Sequence, residues 1–64
     1  MQVNGGSFVF VPGLTLHALL EQLKIQREGV AVAVNDEIYA GTRVPDVALK
    51  PDDVIDIVRI TAGG

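Results

Sequence analysis

The chain of 64 residues has no cysteine and no tryptophan, only three aromatic side chains, and a single histidine. Without cysteine it can form neither a disulfide nor a thiolate metal site, and one histidine cannot supply a metal shell. Iron–sulfur chemistry is excluded on the same ground. Small domains usually draw on these reinforcements, so the core here must be purely apolar. Basic residues are also scarce: five Lys and Arg against eight Asp and Glu give a formal net charge of −3. That balance repels phosphate backbones and argues against a nucleic-acid partner. Long apolar runs are missing as well. The longest, residues 30 to 34, is far below the ~20 residues of a membrane span, and polar Asn4 to Ser7 interrupt any signal-peptide pattern. A soluble cytoplasmic protein, forming one domain over residues 1–64, is the expectation.

Nearly half of the residues are apolar and a fifth are charged, which is the composition of a folded globular chain. Met1 to Asn4 and Ser7 to Val11 are two β-prone runs joined by Gly5-Gly6, predicting a hairpin with the glycines in the turn. Pro12-Gly13 ends the second run, and Thr15 is placed to accept from the N–H of Ala18 at the start of a helix near Leu16. The capping box is incomplete, because Ala18 is not Glu.

Leu16, Leu19, Leu20 and Leu23 form one helical stripe, with His17, Glu21 and Lys24 on a flank. Val30, Val32 and Val34 point to one face of a strand, Ala31 and Ala33 to the other. Asn35-Asp36 reads as a turn, and residues 37–50 as a loop with a short edge strand around Ile38-Tyr39. Lys50 to Asp53 predicts a type I turn with Pro51 in its second position, followed by a strand from Val54 to Ile60. The fold class is therefore α+β: a mixed sheet of four or five strands with one main helix on one face, the last strand lying parallel beside the first. This is the β-grasp arrangement.

The last strand carries the most information. Asp56 in mid-strand would be costly under the helix, so Ile55 and Ile57 are assigned to the core and Asp56, Val58 and Ile60 to the wet face. An exposed Val58 and Ile60 serve equally as ordinary strand formers or as the grip of a partner that handles the terminus. Asp52, Asp53 and Asp56 could steer such a partner from the rim, or Asp52 and Asp53 be turn residues alone. Gly63-Gly64 is expected to form a flexible tail that presents an α-carboxylate on an arm without side chains, able to thread a narrow channel. His17 with Glu21 has no nucleophile nearby and reads as a solvated flank. Tyr39 and Arg43 read as surface loop residues, and Phe8 and Phe10 as packing residues.

The hairpin opening, the helix Thr15-Leu16-His17-Ala18-Leu19-Leu20-Glu21-Gln22-Leu23, the stretch from Val30 to Ile38, the strand from Asp53 to Arg59 and the terminal Gly63-Gly64 together resemble the ThiS-type sulfur carriers of thiamine thiazole synthesis, β-grasp relatives of ubiquitin. Tyr39 to Val47 departs from the arginine-containing pattern of many members. The resemblance implies a protein cosubstrate rather than an enzyme. Its Gly64 would be adenylated by a ThiF-like adenylyltransferase using ATP–Mg and converted to a thiocarboxylate with sulfur from a cysteine desulfurase or another source. A ThiG-like thiazole synthase would then accept the sulfur. It further implies that Val58, Ile60, Thr61 and Ala62 engage partners, that Gly63 belongs to the tail motif, and that no cofactor or metal is bound. The alternatives are a molybdopterin-synthase small subunit, a ubiquitin-like protein modifier joined to lysines through Gly64, and a plain interaction domain.

Overall fold

A computed structural model describes residues 1–60. Five strands, β1 (Gln2–Val3), β2 (Gly6–Ser7), β3 (Val30–Val34), β4 (Glu37–Ala40) and β5 (Val54–Arg59), form one sheet in the order β2-β1-β5-β3-β4. One helix, α1 (Leu16–Gln22), and two short 3-10 turns, Arg27–Gly29 and Gly41–Arg43, complete the described chain. β5 lies parallel to β1 through Gln2 opposite Val54 and Val3 opposite Ile55, while its other neighbour β3 runs antiparallel. This is the mixed sheet with one helix that the apolar pattern predicts.

The hairpin turn sits one residue earlier than glycine content alone suggests. Val3 pairs with Gly6, so the two loop residues are Asn4 (φ 53°) and Gly5 (φ 80°). Asn-Gly is the dipeptide that tolerates two positive φ angles in succession. The second strand is also shorter than its β-prone run. Phe8 N–H donates to the Met1 carbonyl at 3.0 Å, and among the described residues 9–11 have no ladder partner. Their alternation persists, with Phe8 and Phe10 packed on the core and Val9 and Val11 exposed.

The start of α1 satisfies its free N–H groups from three sources. Leu16 N–H donates to Val47 O at 2.8 Å, His17 N–H to Asp46 Oδ1 at 3.1 Å, and Ala18 N–H to Thr15 Oγ1 at 3.3 Å. Asp46, from the 44–47 segment, thus satisfies a first-turn N–H, that of His17, which no residue of the helix itself satisfies. The other end closes with Lys24 N–H to Glu21 O at 3.0 Å and Ile25 N–H to Leu20 O at 2.9 Å. These two bonds form a Schellman motif whose left-handed residue is Lys24, at φ 58°, where glycine is usual.

The leucine stripe packs on the sheet as its spacing requires. Leu16, Leu19 and Leu20 are buried with Val30, Val32 and Ile55, and Leu14, Val44 and Leu49 from the connecting segments complete the core. The isolated apolar positions of residues 44–49 are therefore not incidental: Val44 and Leu49 fasten a long irregular stretch beneath the helix. Among the described residues no helix is long and apolar enough to cross a membrane.

Candidate functional site

The inward and outward sides of β5 separate as the Asp56 argument requires. Ile55 is fully buried and Ile57 half-buried, whereas Asp56 is exposed and Val58 is 60% exposed; Ile60, just past β5, is 43% exposed and borders a cavity together with Ile57. Ile60 is held at the end of the central strand by its N–H, which donates to Gly29 O at 2.9 Å. The backbone is thus fixed up to the last described residue. Thr61, Ala62, Gly63 and Gly64, the remaining expected site residues, lie outside the described residues.

Register extends the exposed face beyond the two residues that alternation alone singles out. Ala31 stands opposite both Val58 and Ala40, and Ala33 opposite both Asp56 and Ile38. Two cross-sheet rows result, Ala40-Ala31-Val58 and Ile38-Ala33-Asp56. The three alanines project little, so the larger Val58 and Ile38, the latter 74% exposed, stand over a shallow apolar floor. Such a floor adjoining Ile60 suits a docked protein better than a small molecule. Ile38 escapes a reading of β5 alone, although its place two residues after the Asn35-Asp36 turn was a usable signal.

Several polar residues prove to be structural. Asp53 is 7% exposed, so it is no steering residue. Its Oδ2 accepts from Lys50 N–H at 2.8 Å, its Oδ1 accepts from Asn35 Nδ2 at 3.1 Å, and Asp53 N–H closes the turn on Lys50 O at 3.1 Å. His17 is not a solvated flank residue: Nε2 lies 2.8 Å from Val44 O. A carbonyl can only accept, so Nε2 carries the proton. Arg27 Nη1, 3.2 Å from that same nitrogen, therefore cannot donate to it. Nδ1 faces Asp46 Oδ2 at 4.0 Å. Tyr39 belongs to β4 and packs partly on the core, its hydroxyl donating to Glu37 Oε2 at 3.1 Å. That hydrogen bond, with the negative charge of Glu37, holds the phenol above its ordinary value of 10.0. Arg43 lies in an exposed 3-10 turn. Among the described residues no three metal-ligating side chains cluster.

The chain's likenesses agree with this geometry. The ThiS family pattern matches residues 1–64. The sulfur carrier protein ThiS of Thermus thermophilus is 40% identical over 52 residues, which make up 81% of each chain. An uncharacterised protein of Pyropia yezoensis, ycf40, is 31% identical over 64 residues, all of this chain and 90% of the other. A match along every residue, over a five-stranded mixed sheet that grips one helix and turns Asp56 and Val58 of its last strand outward, places this chain in the ThiS family.

Proposed function

We propose that the protein is a sulfur carrier for thiazole formation in thiamine synthesis, acting as a cosubstrate of partner enzymes through the carboxylate of Gly64. The observation that carries this reading is the exposure of Val58 on, and Ile60 just past, the strand that leads into the terminal diglycine. A relative named as a sulfur carrier supports it.

The chemistry follows from the end group. A carboxylate is a poor electrophile. In the first step an oxygen of Gly64 attacks the α-phosphorus of ATP on a ThiF-like adenylating enzyme, which supplies the Mg²⁺, and pyrophosphate leaves. The resulting acyl-adenylate then has AMP as a good leaving group. A hydrosulfide-level nucleophile, derived from a cysteine desulfurase or another sulfur source, adds to the carbonyl carbon. AMP departs, one proton is released, and a thiocarboxylate remains. Glycines at 63 and 64 lack Cβ and admit this carbonyl to a narrow site. The apolar floor of Ala31, Ala33, Ala40, Val58 and Ile38 is the grip by which the adenylating enzyme, and later a ThiG-like thiazole synthase, holds the chain.

Intact mass spectrometry of the chain co-expressed with the adenylating enzyme and sulfur source tests the reading. Exchange of one oxygen for sulfur at Gly64 is expected. No exchange, under conditions that convert an authentic carrier, would overturn it. Higher-mass isopeptide adducts dependent on Gly64 would favour the protein-modifier alternative, and co-purification with a large molybdopterin-synthase subunit would reassign the acceptor.

A further inference from the structure

The helix is shorter than the sheet it covers. Seven residues of α1 span ~10 Å, whereas the six residues of β5 span ~20 Å, so part of the inner sheet face is left without helix above it. The uncovered part is at the Ile57–Ile60 end, where residues 24–29 return from the helix to β3. Between this return loop and the sheet lies a cavity of about 550 Å³. Ile25, Ile57 and Ile60 give it apolar walls, and the exposed Lys24, Glu28 and Arg59 line it with charge. Among the described residues neither Lys24 nor Arg59 meets a carboxylate within 4.0 Å.

Charge is segregated along β5. Its first residues lie beside Asp36, Glu37, Asp52 and Asp53, with Lys50 alone in opposition, because the β3–β4 turn meets the start of β5 through Val34 opposite Ile55. Its last residues lie beside Lys24 and Arg59, with Glu28 alone in opposition. A negatively charged chain thus turns a positive end toward the place where its terminal segment leaves. Lys24 also occupies a left-handed position, φ 58°, that glycine would fill without strain. Such strain points to a use for the side chain it keeps in place.

Resting on the sulfur-carrier reading, we infer that this cavity is a socket for a carboxylate side chain of the enzyme that adenylates the terminus. The aliphatic stem of that side chain lies on Ile25 and Ile57, and its charge lies between Lys24 and Arg59. Glu28 on the same rim leaves one net positive charge, which matches a single carboxylate rather than a phosphate dianion. Because Ile60 is both a wall of the socket and the last described residue, filling the socket fixes the direction from which the terminal segment enters the enzyme. Lys24 and Arg59 act in binding and orientation; neither touches the reacting atoms.

The test is ATP–pyrophosphate exchange by the ThiF-like enzyme of the same organism, with the wild-type chain and the variants Lys24→Glu, Arg59→Glu and Lys24→Gly. Lys50→Glu, at the acidic end, is the control, and amide NMR spectra confirm that each variant is folded. Charge reversal at Lys24 or Arg59 is expected to raise KM for the carrier about tenfold while kcat stays within about twofold. Lys24→Gly should raise KM less, and about 0.5 M salt should shrink all these differences. Should Arg59→Glu disturb the β5 ladder, the two Lys24 variants, at an exposed helix end, still decide the matter. If the wild type is turned over and the Lys24 and Arg59 variants keep the KM of Lys50→Glu, the socket is refuted while the carrier reading stands. If the wild type itself is not adenylated, both fall.

Discussion

The Asn35 side chain ties two turns together: its Nδ2 donates to Asp53 Oδ1 at 3.1 Å while its Oδ1 accepts from Val54 N–H at 3.0 Å. Asn35 is left-handed, φ 57°, and its N–H donates to Val54 O at 2.8 Å, so one residue closes the β3–β4 turn and fixes the start of β5. Asp53 is buried and accepts from Lys50 N–H as well. Removing a partner strands a buried polar group at about 1–3 kcal/mol. Asp53→Ala, which removes both side-chain bonds at once, is expected to lower unfolding free energy in urea by ~1–3 kcal/mol. Asn35→Gly, which keeps the backbone freedom and loses only the carboxamide, should lose about 1–2 kcal/mol. The two losses should fall short of additive in the double variant, because they remove one shared bond.

The start of α1 makes stability depend on acid. Asp46 is held below its ordinary carboxylate value of 3.8, first by the Thr15 hydroxyl and then by the His17 backbone N–H, with smaller help from the charges of His17 and Arg27. A carboxylate depressed in the folded state contributes stability that is present above the unfolded value and lost as pH falls through the folded one. Wild type should thus lose stability on acidification below about pH 4, and Asp46→Asn should show a shallower acid slope over the same interval. Thr15→Ala should in addition cost ~1 kcal/mol at neutral pH through the lost cap. Urea midpoints at stepped pH check both.

Patterns confined to one element were readable in the sequence, and those that join distant segments were not. Alternation in β5 placed Ile55, Asp56 and Val58 because a strand has only two sides and a mid-strand carboxylate decides between them. The leucine spacing placed α1 for the same kind of reason. By contrast, Asp46 caps a helix 29 residues away from it in sequence and His17 Nε2 reaches Val44 across 27, contacts to which no local period corresponds. Asp53 looked like a turn residue and is one, but its burial depends on Asn35, which sequence spacing does not bring near. The β-prone run of residues 7–11 kept its alternation but not its ladder, since hydrogen-bond pairing is a property of the neighbour. The apolar floor required the β3–β4 and β3–β5 registers together, and the cavity required the mismatch between helix and strand lengths.

The chain's one tyrosine offers a clean optical readout, with no tryptophan to interfere. Because its hydroxyl donates to Glu37, ionising Tyr39 breaks that bond and places two negative charges together. Absorbance titration of the folded protein should give a midpoint above 10.0, the ordinary value, and Glu37→Gln should bring it down. An equal midpoint in both proteins would show that the bond does not persist in solution.

Replacing Lys24 sets stability against recognition. A non-glycine residue at a left-handed helix end gives up roughly 0.5–1 kcal/mol relative to glycine. Lys24→Gly is expected to raise the urea midpoint while also raising KM in the exchange assay. A gain in stability with no loss of recognition would leave the lysine's strained position without a functional counterpart.

Neighbouring side chains on β5 should separate folding from partner binding most sharply. Ile55 is fully buried, and truncating a buried aliphatic to alanine costs ~2–5 kcal/mol. For a chain of this size the whole stability is expected to be about 3–10 kcal/mol, so Ile55→Ala should leave a substantial fraction unfolded at 37 °C. Val58 lies three residues further along the same strand, on the opposite side and largely exposed. Substituting it with arginine removes nothing from the core, and surface changes of this kind usually stay within about 0.5 kcal/mol. Yet Val58 is the largest side chain in the row Ala40-Ala31-Val58, and a charged residue there would stand on the surface proposed as the partner enzymes' grip. Val58→Arg should therefore melt within a few degrees of wild type and accept sulfur at Gly64 at least about tenfold more slowly, since a desolvated unpaired charge at an interface costs more than one decade of affinity. Ile38→Arg, across the sheet on the same face, should behave in the same way.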